Sequence, residues 1–138
     1  MTPVFVDTSA LYAMLDVADA SHIVAARRWN SLLDVLELDP TAAVTHSGVL
    51  TECAALVQRR LGMQALRGLL EVLLPSLEIV WIDAELHRLA STALLAADHR
   101  RLSLVDWTSF TVMRDRSITH AFAFDDDFEG QGFESFAG

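Results

Sequence analysis

Two stretches decide how this chain reads: "PVFVDTSAL" (residues 3–11) and "HAFAFDDDFEG" (residues 120–130). In each, a run of β-formers ends abruptly in a carboxylate. Val4–Val6 lead into Asp7, and Ala121–Phe124 lead into Asp125, Asp126 and Asp127. Three adjacent aspartates repel one another, so the fold has to tolerate them or use them. Working outward, "AAVTH" (42–46) and "LEIVWI" (77–82) read as two further strands, and "FESF" (133–136) as a short fifth. Helical spacing lies between them. Ala25, Trp29, Leu32 and Leu36 repeat at helical intervals over 20–36, and 47–60, 62–74, 84–97 and 103–114 are further helical segments. Pro75 closes the second of these and Asp83 caps the third. Strands separated by helices predict a mostly parallel sheet of four to five strands covered on both faces. The expectation is one α/β domain spanning 1–138.

Composition narrows the function. With 138 residues and 52% hydrophobic content, the chain is long enough to bury a single core. No apolar run approaches the roughly 20 residues that span a bilayer. No basic region precedes the first apolar residues, so no secretory signal is expected. The lone Cys53 excludes an internal disulfide framework, suits a reducing cytoplasm, and reads as a small buried apolar residue. Nineteen acids oppose ten bases, for a net charge of −9, and every base is arginine. The lack of lysine excludes a P-loop lysine and a Schiff-base lysine. The global charge opposes general attraction to nucleic acid, so any such contact depends on local arginines or on bound metal.

In open α/β sheets, ligands bind beyond the carboxyl ends of the strands. Asp7 and Asp125 both stand there. Glu52, in "SGVLTECAALVQ", lies three residues from Val49 and four from Leu56 and so flanks the inward stripe of its helix. Asp106, in "SLVDWTSFTVM", shares a face with Ser109, Phe110 and Met113. Each acid also has a plain structural reading. Asp7 suits an N-cap, Asp106 completes a capping box with Ser103, Glu52 suits a solvated helix face, and Asp125–Asp127 suit a turn before Phe128. Together, four acids on four elements, each beside apolar residues, would be costly without a cation. With no lysine and few arginines nearby, a divalent metal is the natural counter-charge.

These residues carry a resemblance. "VFVDTSAL", "ADASHIVAARRW" (18–29), "TECAAL", "LSLVDWTSFTVM" and "AFAFDDDFEGQGF" occur in the order and spacing of PIN-domain proteins, and the chain resembles the VapC-type toxin ribonucleases over essentially its whole length. The resemblance implies an acidic quartet of Asp7, Glu52, Asp106 and Asp125, with Thr8 as the small hydroxyl residue after the first aspartate. It implies an Mg2+-dependent endoribonuclease, with Mn2+ as a substitute. Asp7 and Asp106 would ligate the first metal, and Glu52 and Asp125 would complete the site, hold waters or bind a second ion. Thr8 and Ser109 are candidates to orient a water or a carboxylate. Arg100 and Arg101 are candidates to hold the flanking RNA backbone. Many relatives carry a basic residue and a histidine where this chain has Asp126 and Asp127, so its rim is more acidic, and either residue is a candidate supplement to the quartet. His22 lies in a shared block at a helix start and reads as structural. The resemblance further implies a homodimer in the cytoplasm and a VapB-type antitoxin whose tail occupies the cleft. Two alternatives stand beside this reading: a catalytically silent PIN-like binding module, and a haloacid-dehalogenase-type phosphatase. The phosphatase would need a second acid at position 9, where this chain has Ser9, and a lysine it lacks.

Overall fold

The structure is a computed structural model that describes residues 3–138; residues 1 and 2 of the expected 1–138 domain lie outside the described residues. Strand β1 (Val4–Val6) leads through Asp7 into helix α1 (Thr8–Leu15), followed by α2 (His22–Leu38), β2 (Ala43–His46) and α3 (Ser47–Leu61). Next come α4 (Met63–Gly68), β3 (Glu78–Val80), α5 (Ala84–Ala97), α6 (Leu104–Asp115), β4 (His120–Phe122), a single turn α7 (Asp127–Gly130) and β5 (Glu134–Ser135). The sheet order is β3-β2-β1-β4-β5, and every pairing is parallel. The expected α/β sheet is therefore present with five strands.

Several boundaries differ from the sequence expectation; the strand expected over 77–82 pairs only over Glu78–Val80, and two further differences shape the region of the site. The segment 62–74 is not one α-helix: after α4 the chain widens into a π-helical turn over Leu69–Leu73 and tightens into a 3-10 turn over Leu74–Ser76. Pro75 sits in that last turn, where its missing N–H and its ring disfavour a continuing α-helix. The run "HAFAF" pairs only as far as Phe122. Beyond it, the Phe124 N–H donates to the Ser9 hydroxyl at 3.0 Å instead of to a neighbouring strand. This leaves residues 123–125 free to turn over the sheet edge.

Burial follows the expected stripes. Ala25, Trp29 and Leu32 of α2 are buried, as are Val49, Cys53 and Val57 of α3 and Phe110 and Met113 of α6. Phe128 carries α7 into this core. Its ring lies 5.2 Å from Phe110, edge-on, and 5.9 Å from Phe5. Aromatic pairs of this kind add about 1 kcal/mol beyond their buried area. Phe128 thus pins the triple-aspartate turn above the β1 and β4 ends. His22 has the structural place expected of it, with Nδ1 2.8 Å from the Ala13 carbonyl, joining the start of α2 to α1.

One polar network lies inside the core. His46 is fully buried and caps α3: its Nδ1 accepts from the N–H groups of Gly48 (3.0 Å) and Val49 (3.3 Å). Nε2 is therefore the protonated nitrogen and donates to the Ser109 hydroxyl at 2.9 Å, which donates in turn to the Val105 carbonyl at 3.0 Å. Burial pushes the His46 pKa down to about 4, so the imidazole is neutral at ordinary pH. Gly48 makes the cap possible, since a Cβ there would stand 2.9 Å from the ring. Gly48→Ala should destabilise the fold by about 1–3 kcal/mol, the usual cost of overpacking. Urea unfolding would measure it, and an unchanged midpoint would mean that the ring is free to move.

Candidate active site

The strand order turns back at β1. The chain fills one side of the sheet with β2 and β3, then crosses to place β4 on the other. A crevice therefore opens between the carboxyl ends of β1 and β4, the place where open α/β sheets bind ligands. Asp7 is the residue after β1, and its N–H donates to the Phe122 carbonyl of β4 at 3.0 Å. Asp125 follows β4 by three residues. The two strand-ending carboxylates noted in the sequence stand astride this crevice.

A cleft of about 580 Å3 occupies it and is lined by all four acids: Asp7, Glu52, Asp106 and Asp125. Asp7 is 5% exposed. Its Oδ2 accepts from the N–H of Ser9 (3.2 Å) and from the Ser9 hydroxyl (2.8 Å), the latter also accepting from Phe124 N–H. Ser9 therefore ties the Asp7 carboxylate to the chain leaving β4. Glu52 is solvent-exposed along the cleft wall, and its Oε1 accepts from the Thr8 hydroxyl at 2.9 Å. Asp106 closes a capping box, its Oδ2 accepting from the N–H and hydroxyl of Ser103 at 2.9 and 3.1 Å. Asp125 accepts from the Asp127 N–H at 3.1 Å.

Among the described residues, no ion pair involves Asp7, Glu52, Asp106 or Asp125. Burial lifts the Asp7 pKa from 3.8 to about 7; the Ser9 hydroxyl opposes the rise, and the charges of Asp125 and Asp106 add to it. Asp125 is also raised, first by burial and then by Asp127, Asp106 and Asp126, against the Asp127 N–H. Cys53, buried behind the wall, is pushed up to about 12 by burial and by the nearby Asp7 and Glu52 charges, which leaves it an inert thiol. Among the described residues, no three His, Cys, Asp or Glu side chains come close enough to bind one ion together. The donor set nevertheless fits a hard divalent ion. It is all carboxylate and hydroxyl oxygen, its most buried member makes no ion pair among the described residues, and Mg2+ needs only one or two carboxylates beside its waters.

The remaining candidates fall in different places. Thr8 lines the cleft. Ser109 does not: it is fully buried and spent on His46 and Val105, so the i+3 relation to Asp106 turned it into the core. Arg101 reaches the rim only through Asp127, an ion pair of 3.1 Å. Arg100 lies beside Leu94 and Leu95 at the α5–α6 turn and does not line the cleft. Asp127 lines the cleft and Asp126 precedes α7 without lining it. The arginine that does line the cleft is Arg60, four residues beyond Leu56 and eight beyond Glu52 on the same face of α3. Helical spacing from Glu52 was the available signal for Arg60. Ser9, Tyr12 and Asp19 also line it without having been singled out as functional, and no local pattern marks them.

A PIN domain pattern matches residues 4–134. The chain belongs to the PIN domain family. It is 37% identical over 131 residues to "23S rRNA-specific endonuclease VapC20" of Mycobacterium tuberculosis, in both strain H37Rv and strain CDC 1551, covering 94% of this chain and 95% of each relative. The crystal structure of M. tuberculosis VapC20, described as a sarcin-ricin loop cleaving toxin, superposes with a TM-score of 0.81 at 37% identity, covering 94% of this chain and 95% of that one. As a PIN domain, the chain is set apart from the phosphatase alternative. PIN nucleases generally use divalent metal, which agrees with the oxygen-only donor set here.

The raised Asp7 pKa has a sign. The folded state holds the Asp7 proton up to about pH 7 and the unfolded state only to about 3.8. The folded state therefore binds the extra proton in that window, and its stability falls as pH rises through it. In EDTA, Asp7→Asn should be more stable than wild type at pH 8. The gap should shrink by about 2–3 kcal/mol at pH 5. Urea titrations at the two pH values test this, and a pH-independent gap would mean that Asp7 is not the buried acid described.

Proposed function

We propose that this PIN domain is the toxin of a type II toxin–antitoxin pair, an Mg2+-dependent endoribonuclease that hydrolyses RNA phosphodiester bonds through Asp7, Glu52, Asp106 and Asp125. The observation that carries the reading is the convergence of four carboxylates from four elements on one cleft at the sheet's switch point, with a buried Asp7 that makes no ion pair among the described residues. The 37% identical relative is named as a ribosomal-RNA endonuclease, which makes 23S rRNA the first substrate to test.

Bound Mg2+ would supply Lewis-acid polarisation of the phosphate and a water of lowered pKa. Asp7 and Asp106 would hold it directly, and each is hydrogen-bonded to a serine: Asp7 to Ser9 and Asp106 to Ser103. Thr8 fixes one oxygen of Glu52, and the other would accept a proton from the attacking water. Asp125 completes the acidic wall, with its carboxylate fixed by the Asp127 N–H. Water adds to phosphorus, the bond to the leaving ribose oxygen breaks, and that oxygen takes up a proton. A homodimer, a VapB-type antitoxin offering a basic residue to the acidic cleft, and a cytoplasmic place of action complete the proposal. No described helix is long and apolar enough to cross a membrane.

Induced expression in a bacterial host, with RNA ends sequenced from wild-type and Asp7→Asn cultures, tests the reading. Growth arrest with new RNA ends only in the wild type supports it. Arrest in both would separate toxicity from the quartet. In vitro, Asp7→Asn and Asp106→Asn should each lower Mg2+-dependent cleavage by about 100-fold or more, whereas Asp127→Asn should stay within a few-fold of wild type. A dead Asp127→Asn enzyme would shift the fourth acid from Asp125 to Asp127.

A further inference from the structure

A second groove, of about 640 Å3, adjoins the acidic cleft and shares Glu52 with it as a wall. Its outstanding feature is Trp81. This residue directly follows β3 and is 69% exposed, whereas Trp29 and Trp107 are each only 8% exposed. Ile82 and Leu104 supply further apolar lining, and the hydroxyl residues Ser47 and Thr51 supply a polar edge. The Ile82 N–H donates to the Ser47 hydroxyl at 3.0 Å, which fixes the β3 exit against the start of α3. The groove therefore lies at the same carboxyl edge as the quartet. β3 is two strands from β1, so Trp81 stands roughly 10 Å across the sheet from the Asp7 end.

At the other end of the same helix is Arg60. It lines the acidic cleft about 12 Å along α3 from Glu52, at 1.5 Å per residue. Its guanidinium lies 6.0 Å from the centre of the Tyr12 ring, and Tyr12 also lines the cleft. None of the ion pairs among the described residues involves Arg60. An arginine left free beside six cleft acids is suited to a mobile anion. The exposed tryptophan beyond Glu52 is suited to a flat, partly polar ring.

We propose that α3 forms the floor of a single-stranded RNA track, with Trp81 stacking an unpaired base on one side of the cleaved bond and Arg60, held by Tyr12, binding a backbone phosphate on the other. This rests on the ribonuclease reading of the quartet and adds where the substrate strand runs. An aromatic platform serves any base because every base has a π-face, and single-stranded RNA is the form in which a base is free to stack. The positions of Trp81 and Arg60, on opposite sides of Glu52, match a strand laid along the helix and not a duplex seated over it.

The test uses the full chain carrying Asp7→Asn, short single-stranded RNA oligonucleotides and tryptophan fluorescence. Binding should quench the exposed tryptophan, and Trp81→Phe should abolish the quench. Trp81→Ala should weaken binding about tenfold, and an abasic nucleotide at the stacked position should cost the same in the Trp81 protein but nothing further in Trp81→Ala. Arg60→Gln should weaken all sequences alike and flatten the log K against log salt slope by about 0.7. In the active protein both variants should raise KM more than they lower kcat. If wild type cleaves RNA while both variants retain its KM and affinity, the track is wrong and the ribonuclease stands. If wild type neither binds nor cleaves RNA, the ribonuclease reading itself fails and takes the track with it. Quenching by a basic peptide but not by RNA would overturn the track in favour of a protein partner. Trp81 and Arg60 are both exposed, so circular dichroism of the variants should match wild type.

Discussion

The Asp7 carboxylate is the constraint around which the rest of the site is arranged. It is buried at the point where the sheet reverses its strand order, and burial alone makes its charge expensive. The fold lessens that cost without removing it. Ser9 contributes both its N–H and its hydroxyl, and the same hydroxyl accepts the Phe124 N–H. The start of α1 and the end of β4 are thereby locked together at the cleft. What remains uncompensated is a preference for a cation, which the metal-dependent chemistry proposed for this site would satisfy.

Structural and functional readings of the acids are not rivals here. Asp7 is the N-cap of α1 and Asp106 the N3 member of a capping box on α6, as their local sequences suggest. Both also line the cleft. The reason is geometric. In a parallel sheet a helix that directly follows a strand starts at the carboxyl edge, so the carboxylate that caps α1 sits where ligands bind, and the tertiary fold brings the start of α6, which follows α5, to the same cleft. The positive end of the helix dipole tolerates that charge as well. The capping hydrogen bonds fall on Oδ2 of each carboxylate and leave Oδ1 without a hydrogen bond among the described residues.

The aspartate run at 125–127 divides its labour. Asp125 faces the cleft, Asp126 precedes α7, and Asp127 pairs with Arg101 while its N–H bonds back to Asp125. Phe128 holds the turn down by packing on Phe5 and Phe110. The result is a strongly acidic rim, and among the described residues the arginine that lines the same cleft, outside any ion pair, is Arg60. For a polyanionic substrate that single charge matters more than the chain's net −9, because contact depends on the local field.

By itself the sequence determined the parts that depend on neighbours within a few residues. These include the order of strands and helices, the caps at Asp7, Asp83 and Ser103, the buried stripes of α2, α3 and α6, and the placement of acids at strand ends. The same locality allowed Asp7, Glu52, Asp106 and Asp125 to be grouped as candidates before any distance was known. It also misdirected one reading, since helical spacing drew Ser109 toward the cleft; Arg100 and Arg101, singled out by pairing in sequence, lie outside the cleft lining, with Arg101 tied to its rim through Asp127. Tertiary structure alone decided that β4 lies beside β1, that Thr8 bonds Glu52 across 44 residues, that Ser109 is spent on His46 across 63, and that Arg60 meets Tyr12. Those contacts join elements far apart in the chain, and periodicity, which reports only which face of one element is apolar, carries no record of which other element that face will meet.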